Sequence, residues 1–209
     1  MRCFIAGAGE YCGFVVPGPD DYVIAADRGY EELISRGIRP DLVVGDFDSL
    51  GDAPEHPNVL RSPMEKDDTD MIIAVRQGFA QGCDMFIIDG GLGGRFDHTL
   101  ANCQILAYIS QSGGRGFLLG REMSVTAITN GTLGFLPGAP GRVSVFCAGS
   151  IAEGVTITGL KYPLDDALLT YDYPLGVSNE FTGAPAEISV RSGTLLIMWT
   201  GGPDMIDNR

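Results

Sequence analysis

Along residues 1–122, short uninterrupted apolar runs alternate with stretches whose apolar positions recur every three or four residues. The runs "RCFIAGAG", "YVIAAD", "PDLVVGD" and "CDMFIIDGG" predict strands, ending in glycines, at Asp27, at Asp46 and at Asp89 with its glycines. Between them, "GYEELISRG" sets Tyr30, Leu33, Ile34 and Ile38 near helical spacing, with Gly37 as a C-terminal stop. "TDMIIAVRQGFAQG" and "DHTLANCQILAYISQSGG" predict two more helices. Nearly continuous apolar strands alternating with helices are the pattern of a parallel sheet covered on both faces, so residues 1–122 predict a three-layer α/β domain. Ligands of such sheets bind outside the carboxyl ends of the strands.

Past residue 122 the pattern changes. "SVTAITN", "GTLGFL", "RVSVFCAG", "GVTITGL", "EISVRSG" and "TLLIMWTG" are short, β-branched or period-2 segments separated by Gly, Pro and Asn, with no amphipathic helix among them. Residues 123–209 therefore predict an antiparallel β-sandwich following the parallel-sheet domain.

The net charge of −13 and the pI near 4.4 repel phosphate backbones and anionic lipid, which argues against a nucleic-acid or membrane partner. The five cysteines show no metal-site spacing and read as reduced thiols. No segment approaches the length of a membrane helix. The six residues from Cys3 to Ala8 are too short for the apolar region of a signal peptide. The expected location is cytoplasmic.

The acids are informative in their placement. Asp27, Asp46, Asp48 and Asp89 fall at predicted strand ends, and Asp67, Asp68 and Asp70 of "KDDTD" open the next helix. In a parallel sheet these ends share one edge, and crowded carboxylates persist when paired or metal-bound. One of Asp67 and Asp68 is expected to cap the helix. Asp46 and Asp48 of "VVGDFDSL", with Asp70 as a third ligand, are hard oxygen donors of the kind Mg²⁺ requires. In "DGGLGGRFDHTLAN", glycines after a strand and before a helix allow close approach of a phosphate, and Arg95 can hold one bidentately. An ion pair between Arg95 and a neighbouring aspartate is the structural alternative. Asp97 is a metal ligand, a base or a helix cap, and His98 a phosphate donor or a structural residue. These residues together point to a Mg²⁺-nucleotide enzyme that moves a phosphoryl-type group.

The blocks "AADRGYEELISRGIRPDLVVGDFDSL", "KDDTDMIIAV" and "IDGGLGGRFDHTLANCQIL" resemble, in order and spacing, the signature blocks of the thiamine pyrophosphokinase family. The weaker "GLKYPL" and "GVSNEF" resemble its substrate-side segments. The resemblance implies transfer of diphosphate from ATP to the hydroxyl of thiamine, giving thiamine diphosphate and AMP. It implies an α/β ATP- and Mg²⁺-binding catalytic domain over 1–122 and a β-sandwich over 123–209 that binds thiamine and forms a homodimer with active sites between subunits. It further implies Mg²⁺ ligation by Asp46, Asp48 and Asp70, and catalytic roles for Asp27, Arg95 and Asp97. Gly91, Gly94, Arg95, His98 and Asn102 are its ATP-phosphate positions, and Ser178 and Asn179 its thiamine positions. Arg28 departs from the family's usual glycine, and either contacts phosphate or demands a different local backbone. Gly91 stands where alanine is frequent. A pterin diphosphokinase keeps the chemistry with another acceptor, and a Mg²⁺-dependent nucleotide sensor keeps the binding without turnover. A DxD glycosyltransferase or phosphatase is a more distant alternative.

Overall fold

The computed structural model describes residues 1–13, 15–46, 55–61 and 68–207. The chain divides into two compact units, one of Met1–Asn102 with Leu118–Gly120, the other of Cys103–Phe117 with Arg121–Arg209.

In the first unit, β1 (Arg2–Ala6), β2 (Tyr22–Ala26), β3 (Leu42–Gly45), β4 (Val59–Arg61) and β5 (Met85–Asp89) pair in parallel in the order β5-β1-β2-β3-β4. All but the edge strand β4 are buried along nearly their whole length, as their apolar runs require. β4 went unforeseen because Leu60 and Arg61 are exposed and only three residues pair. The helices α1 (Gly29–Ser35), α2 (Asp70–Ala80) and α3 (Phe96–Gln111) match the expected helical stretches. Gly78 of α2 lies against Cys3 and Phe86, whereas Phe4 shares a cavity with Leu33 of α1. Successive strand residues point to opposite faces, so α1 and α2 cover opposite sides of the sheet, the three-layer arrangement that right-handed crossovers produce.

The helix starts are built locally. Thr69, not Asp67 or Asp68, caps α2: its side chain accepts from the Ile72 amide at 3.3 Å. Asp67 lies outside the described residues, and Asp68 is ion-paired with Arg76. At α1, a β-carbon on Gly29 would stand 2.0 Å from the Ala6 carbonyl oxygen, so this glycine is demanded by close approach to β1. Arg28 before it has φ −61° and ψ −10°, ordinary helical values, so an arginine there needs no special backbone. The unusual conformation belongs to Asp27, with φ 54°, a region that Asp tolerates better than most residues.

The second unit holds two antiparallel sheets. One orders β12 (Gly176–Glu180), β9 (Arg142–Cys147), β14 (Thr194–Thr200) and β7 (Met123–Thr129). The other orders β11 (Leu164–Thr170), β10 (Ile151–Thr158), β13 (Ala186–Ser189), β8 (Thr132–Phe135) and β15 (Ile206–Asp207). Between them, Trp199 of β14 meets Phe135 of β8 edge-on at 5.6 Å, and Phe181 meets Phe135 at 5.0 Å. The indole N–H donates to the Gly202 carbonyl at 3.0 Å, so the largest buried side chain carries no unmet donor. This is the expected sandwich. Its edge strands β11 and β12 escaped the sequence reading because "LDDALLT" and "GVSNE" break alternation with exposed polar residues. β6 (Arg115–Leu119) was likewise unforeseen, as its buried run directly follows α3 after a short turn.

The cysteines form no disulfide among the described residues, and burial pushes the thiols of Cys3, Cys83 and Cys103 up from their ordinary range. Iodoacetamide followed by mass spectrometry should alkylate Cys147 in the native protein. Cys3, Cys83 and Cys103 should react on the order of a thousandfold more slowly than in denaturant, since labelling them requires opening of the fold.

Candidate active site

The strand order places the site. From β1 the chain moves to one side through β2, β3 and β4, then crosses back to place β5 on the other side of β1. Loops leaving the carboxyl ends of β1 and β5 therefore diverge and open a crevice, the usual ligand position in such sheets. An open cleft of about 740 Å³ lies there, lined by Gly7 to Gly9 after β1 and Gly90, Gly91, Gly93 and Gly94 after β5. Its other walls are Ala26 to Arg28 after β2, Asp68 to Met71 at the start of α2, and Arg95, His98, Ala101 and Asn102 on or before α3.

Of the residues expected from sequence, the cleft brings together Asp27, Asp70, Gly91, Gly94, Arg95, His98 and Asn102. Asp27 is tied to the neighbouring strand by its amide, which donates to the Val44 carbonyl at 2.7 Å. Asp70 occupies the first turn of α2, where the helix dipole favours a carboxylate and Thr69 has taken the capping role. Asp46 follows β3 at the same carboxyl edge, and Asp48 lies outside the described residues. Among the described residues, no three His, Cys, Asp or Glu side chains are grouped as a metal centre.

Arg95 and Asp97 face each other. The guanidinium donates through Nε to Asp97 Oδ1 at 3.2 Å and through a terminal nitrogen to Oδ2 at 2.7 Å, and both side chains are exposed. The hydrogen bonds from Arg95 hold the Asp97 carboxyl below the usual carboxylate range, and Arg95 is raised in turn. Asp97 Oδ1 also accepts from the His98 amide at 3.0 Å. Asn102 is buried, and its amide nitrogen donates to the Gly91 carbonyl at 2.7 Å, so it shapes the glycine loop from beneath. Arg28 lines the cleft with an exposed side chain, 3.9 Å from the Glu31 carboxylate.

In the second unit, Ser178 is exposed with φ 61°, and its amide donates to the Ser144 hydroxyl at 3.1 Å. Asn179 is 4% exposed. Its Oδ1 accepts from the amides of Tyr162 and Glu180 at 3.0 and 2.9 Å, and its Nδ2 donates to the Tyr162 carbonyl at 2.6 Å. The side chain thus fastens "GLKYPL" to "GVSNEF", the two segments singled out in this half of the sequence.

Two models of one family match the chain. The catalytic domain of thiamin pyrophosphokinase covers residues 19–116, and the vitamin B1 binding domain of the same family covers residues 139–195. The chain belongs to the thiamin pyrophosphokinase family. It is 28% identical to the thiamine pyrophosphokinase of Bacillus subtilis over 182 residues, spanning 84% of this chain and 85% of that one. The crystal structure of thiamine pyrophosphokinase from Bacillus subtilis superposes with a TM-score of 0.82 at 25% identity, covering 96% of this chain and 99% of the other. That of the thiamin pyrophosphokinase family protein from Enterococcus faecalis gives 0.80 at 26% identity, covering 97% and 100%.

What the sequence reading missed in the cleft is the β1 side. "GAG" was legible as a strand end, but a glycine pattern that short carries no ligand signal by itself.

The two glycines at the head of the β5 loop differ in what they tolerate. A β-carbon on Gly91 would meet the Leu118 methyl Cδ2 at 2.7 Å, a flexible group that can turn aside, so Gly91→Ala should cost about 1 kcal/mol in urea unfolding and leave the fold intact. Gly90 has φ 72° and would press on the Gly7 carbonyl at 2.9 Å, so Gly90→Ala should cost about 3 kcal/mol or more in the same measurement.

Proposed function

We propose that the chain transfers the diphosphate group of ATP to the hydroxyl oxygen of thiamine, releasing AMP and thiamine diphosphate. One observation carries this reading: the span matched by the family's catalytic domain holds every cleft wall beyond the β1 loop, and the span matched by its vitamin B1 binding domain holds Ser178 and Asn179. The B1 binding match also favours thiamine over a pterin as acceptor.

The thiamine oxygen attacks the β-phosphorus, the bond from that phosphorus to the oxygen of AMP breaks opposite it, and the hydroxyl proton leaves. Positioning and neutralisation of charge carry such a transfer. The donor set fits Mg²⁺: Asp46 after β3 and Asp70 at the start of α2 would supply hard oxygens, with Asp48, two residues after Asp46 in sequence, as a third ligand and Asp27 in the same cleft as Asp70. When bound there, the ion would offset the negative charge that develops on the transferred group. Gly91 and Gly94 admit the polyphosphate close to the backbone, His98 donates to it, and Asn102 keeps the loop in shape. Arg95 exchanges Asp97 for phosphate. While paired, Asp97 is a weak proton acceptor because Arg95 holds its pKa down. With Arg95 turned to the phosphate, Asp97 is an unpaired carboxylate beside the cleft and a candidate to accept the proton. Asp27 is the other carboxylate in reach of this role. Ser178 and the segment that Asn179 fastens form the thiamine side.

In this reading residues 1–122 form the catalytic domain and residues 123–209 bind thiamine and dimerise, in the cytoplasm. A homodimer accounts for the exposed apolar side chains Leu168, Tyr171, Tyr173 and Leu175 around β11 and β12. It equally accounts for Phe96 and Leu100, exposed one turn apart on α3 next to Arg95.

Incubation with ATP, Mg²⁺ and thiamine should yield AMP and thiamine diphosphate in equal amounts; ADP in place of AMP would refute attack at the β-phosphorus. Asp48→Asn should lower kcat by about a hundredfold or more with an unchanged melting temperature, and near-normal turnover at limiting Mg²⁺ would remove Asp48 from the metal site. Light scattering should give the mass of two 22.2 kDa chains. Leu168→Glu combined with Tyr173→Glu should give the mass of one, and a monomeric parent protein would contradict the dimer.

A further inference from the structure

Asp89 is the last residue of β5 and is completely buried, a costly place for a carboxylate unless its oxygens are satisfied. They are satisfied by backbone amides of the β1 loop and of the adjoining Gly90. Oδ1 accepts from the Cys12 amide at 2.9 Å and from the adjoining Gly90 amide at 2.9 Å, and Oδ2 accepts from the Gly13 amide at 3.2 Å. The backbones continue the same join. The Gly7 amide donates to the Asp89 carbonyl at 2.8 Å, the Gly9 amide to the Gly90 carbonyl at 2.7 Å, and the Glu10 amide to the Leu92 carbonyl at 3.1 Å. The Tyr11 hydroxyl turns back to donate to the Gly7 carbonyl. The contact is too close for side chains: a β-carbon on Gly7 or Gly9 would stand 2.6 or 2.7 Å from the Gly90 carbonyl oxygen.

Both joined loops line the cleft, one through Gly7 to Gly9 and the other through Gly90 to Gly94. We infer that the Gly7–Gly13 loop is a wall of the nucleotide-phosphate site and that Asp89 is the positioning residue that pins it there, an inference that rests on the cleft being the ATP site. Asp89 itself does not face the cleft, so it acts through the loop. The acid matters as an acceptor on both oxygens. An amide in its place keeps one acceptor for Cys12 and Gly90 but turns a donor toward the Gly13 amide, leaving two N–H groups opposed. Without the pin, the β1 loop must be ordered when the polyphosphate arrives, and that ordering weakens nucleotide binding alone.

The test is calorimetric binding of α,β-methylene ATP, whose bridge between the α- and β-phosphorus atoms does not break, to the full chain and to Asp89→Asn. Hydrogen–deuterium exchange over residues 7–13 and steady-state kinetics accompany it. Asp89→Asn should keep the native circular dichroism, exchange faster at Cys12 and Gly13, and bind the analogue about tenfold more weakly. The KM for thiamine should stay within about twofold of the parent value. A folded Asp89→Asn that exchanges quickly in this loop yet binds the analogue with parent affinity overturns the inference. Should Asp89→Asn fail to fold, Tyr11→Phe loosens the same loop by removing its bond to the Gly7 carbonyl. It should weaken the analogue about threefold, and parent affinity in that variant would equally overturn the proposal. The comparison is read from binding, so a parent protein that binds the analogue but forms no thiamine diphosphate refutes the proposed reaction and not the role of Asp89.

Discussion

The parallel pairing of β1 with β5, Ala6 opposite Asp89, is the constraint on which the rest of the first unit depends. It puts the reversal of strand order between β5 and β1, where two neighbouring carboxyl ends must send their chains to opposite sides. The resulting crevice cannot be filled by the sheet itself, and the residues that border it must be small or conformationally free. Gly7, Gly9 and Gly90 meet that demand by close approach, and Gly29 meets it where α1 crosses the end of β1. Polar groups at the same edge then face a space rather than a core.

Most of this was legible in the sequence because the signals are local. Strands buried on both faces read as continuous apolar runs, helices as recurrences of three to four, and strand-end acids followed from both. Asp27, Asp70, Arg95 and Asn102 do line one cleft. The less legible features depended on tertiary context. β4, β11 and β12 are edge strands with exposed side chains, so their pattern is weak. The cap of α2 passed from the aspartates to Thr69, a choice among adjacent capping residues that side-chain geometry alone decides. Asp89 belonged by sequence to the same row of strand-end acids, yet it is buried and points its carboxylate at backbone amides. A carboxylate facing a ligand and one facing a loop have the same sequence signature.

The same distinction separates Ser178 from Asn179. Adjacent in sequence and alike in polarity, they differ in burial: the hydroxyl residue is exposed, whereas the amide is consumed by three backbone contacts. The division falls at an irregularity of the strand, with the register shifting between Gly176 and Asn179 and Ser178 at φ 61°.

The closed pair of Arg95 and Asp97 has a kinetic consequence. With its guanidinium neutralised by its own neighbour, this residue offers an approaching polyphosphate no long-range attraction, while the chain's surplus of negative charge repels it. Screening by salt weakens both that repulsion of an anionic nucleotide and the attraction of a cationic acceptor. Partners of opposite charge reach the protein under opposite dependence on salt, and a nucleotide whose charge is already reduced by a bound cation enters ahead of one that is bare.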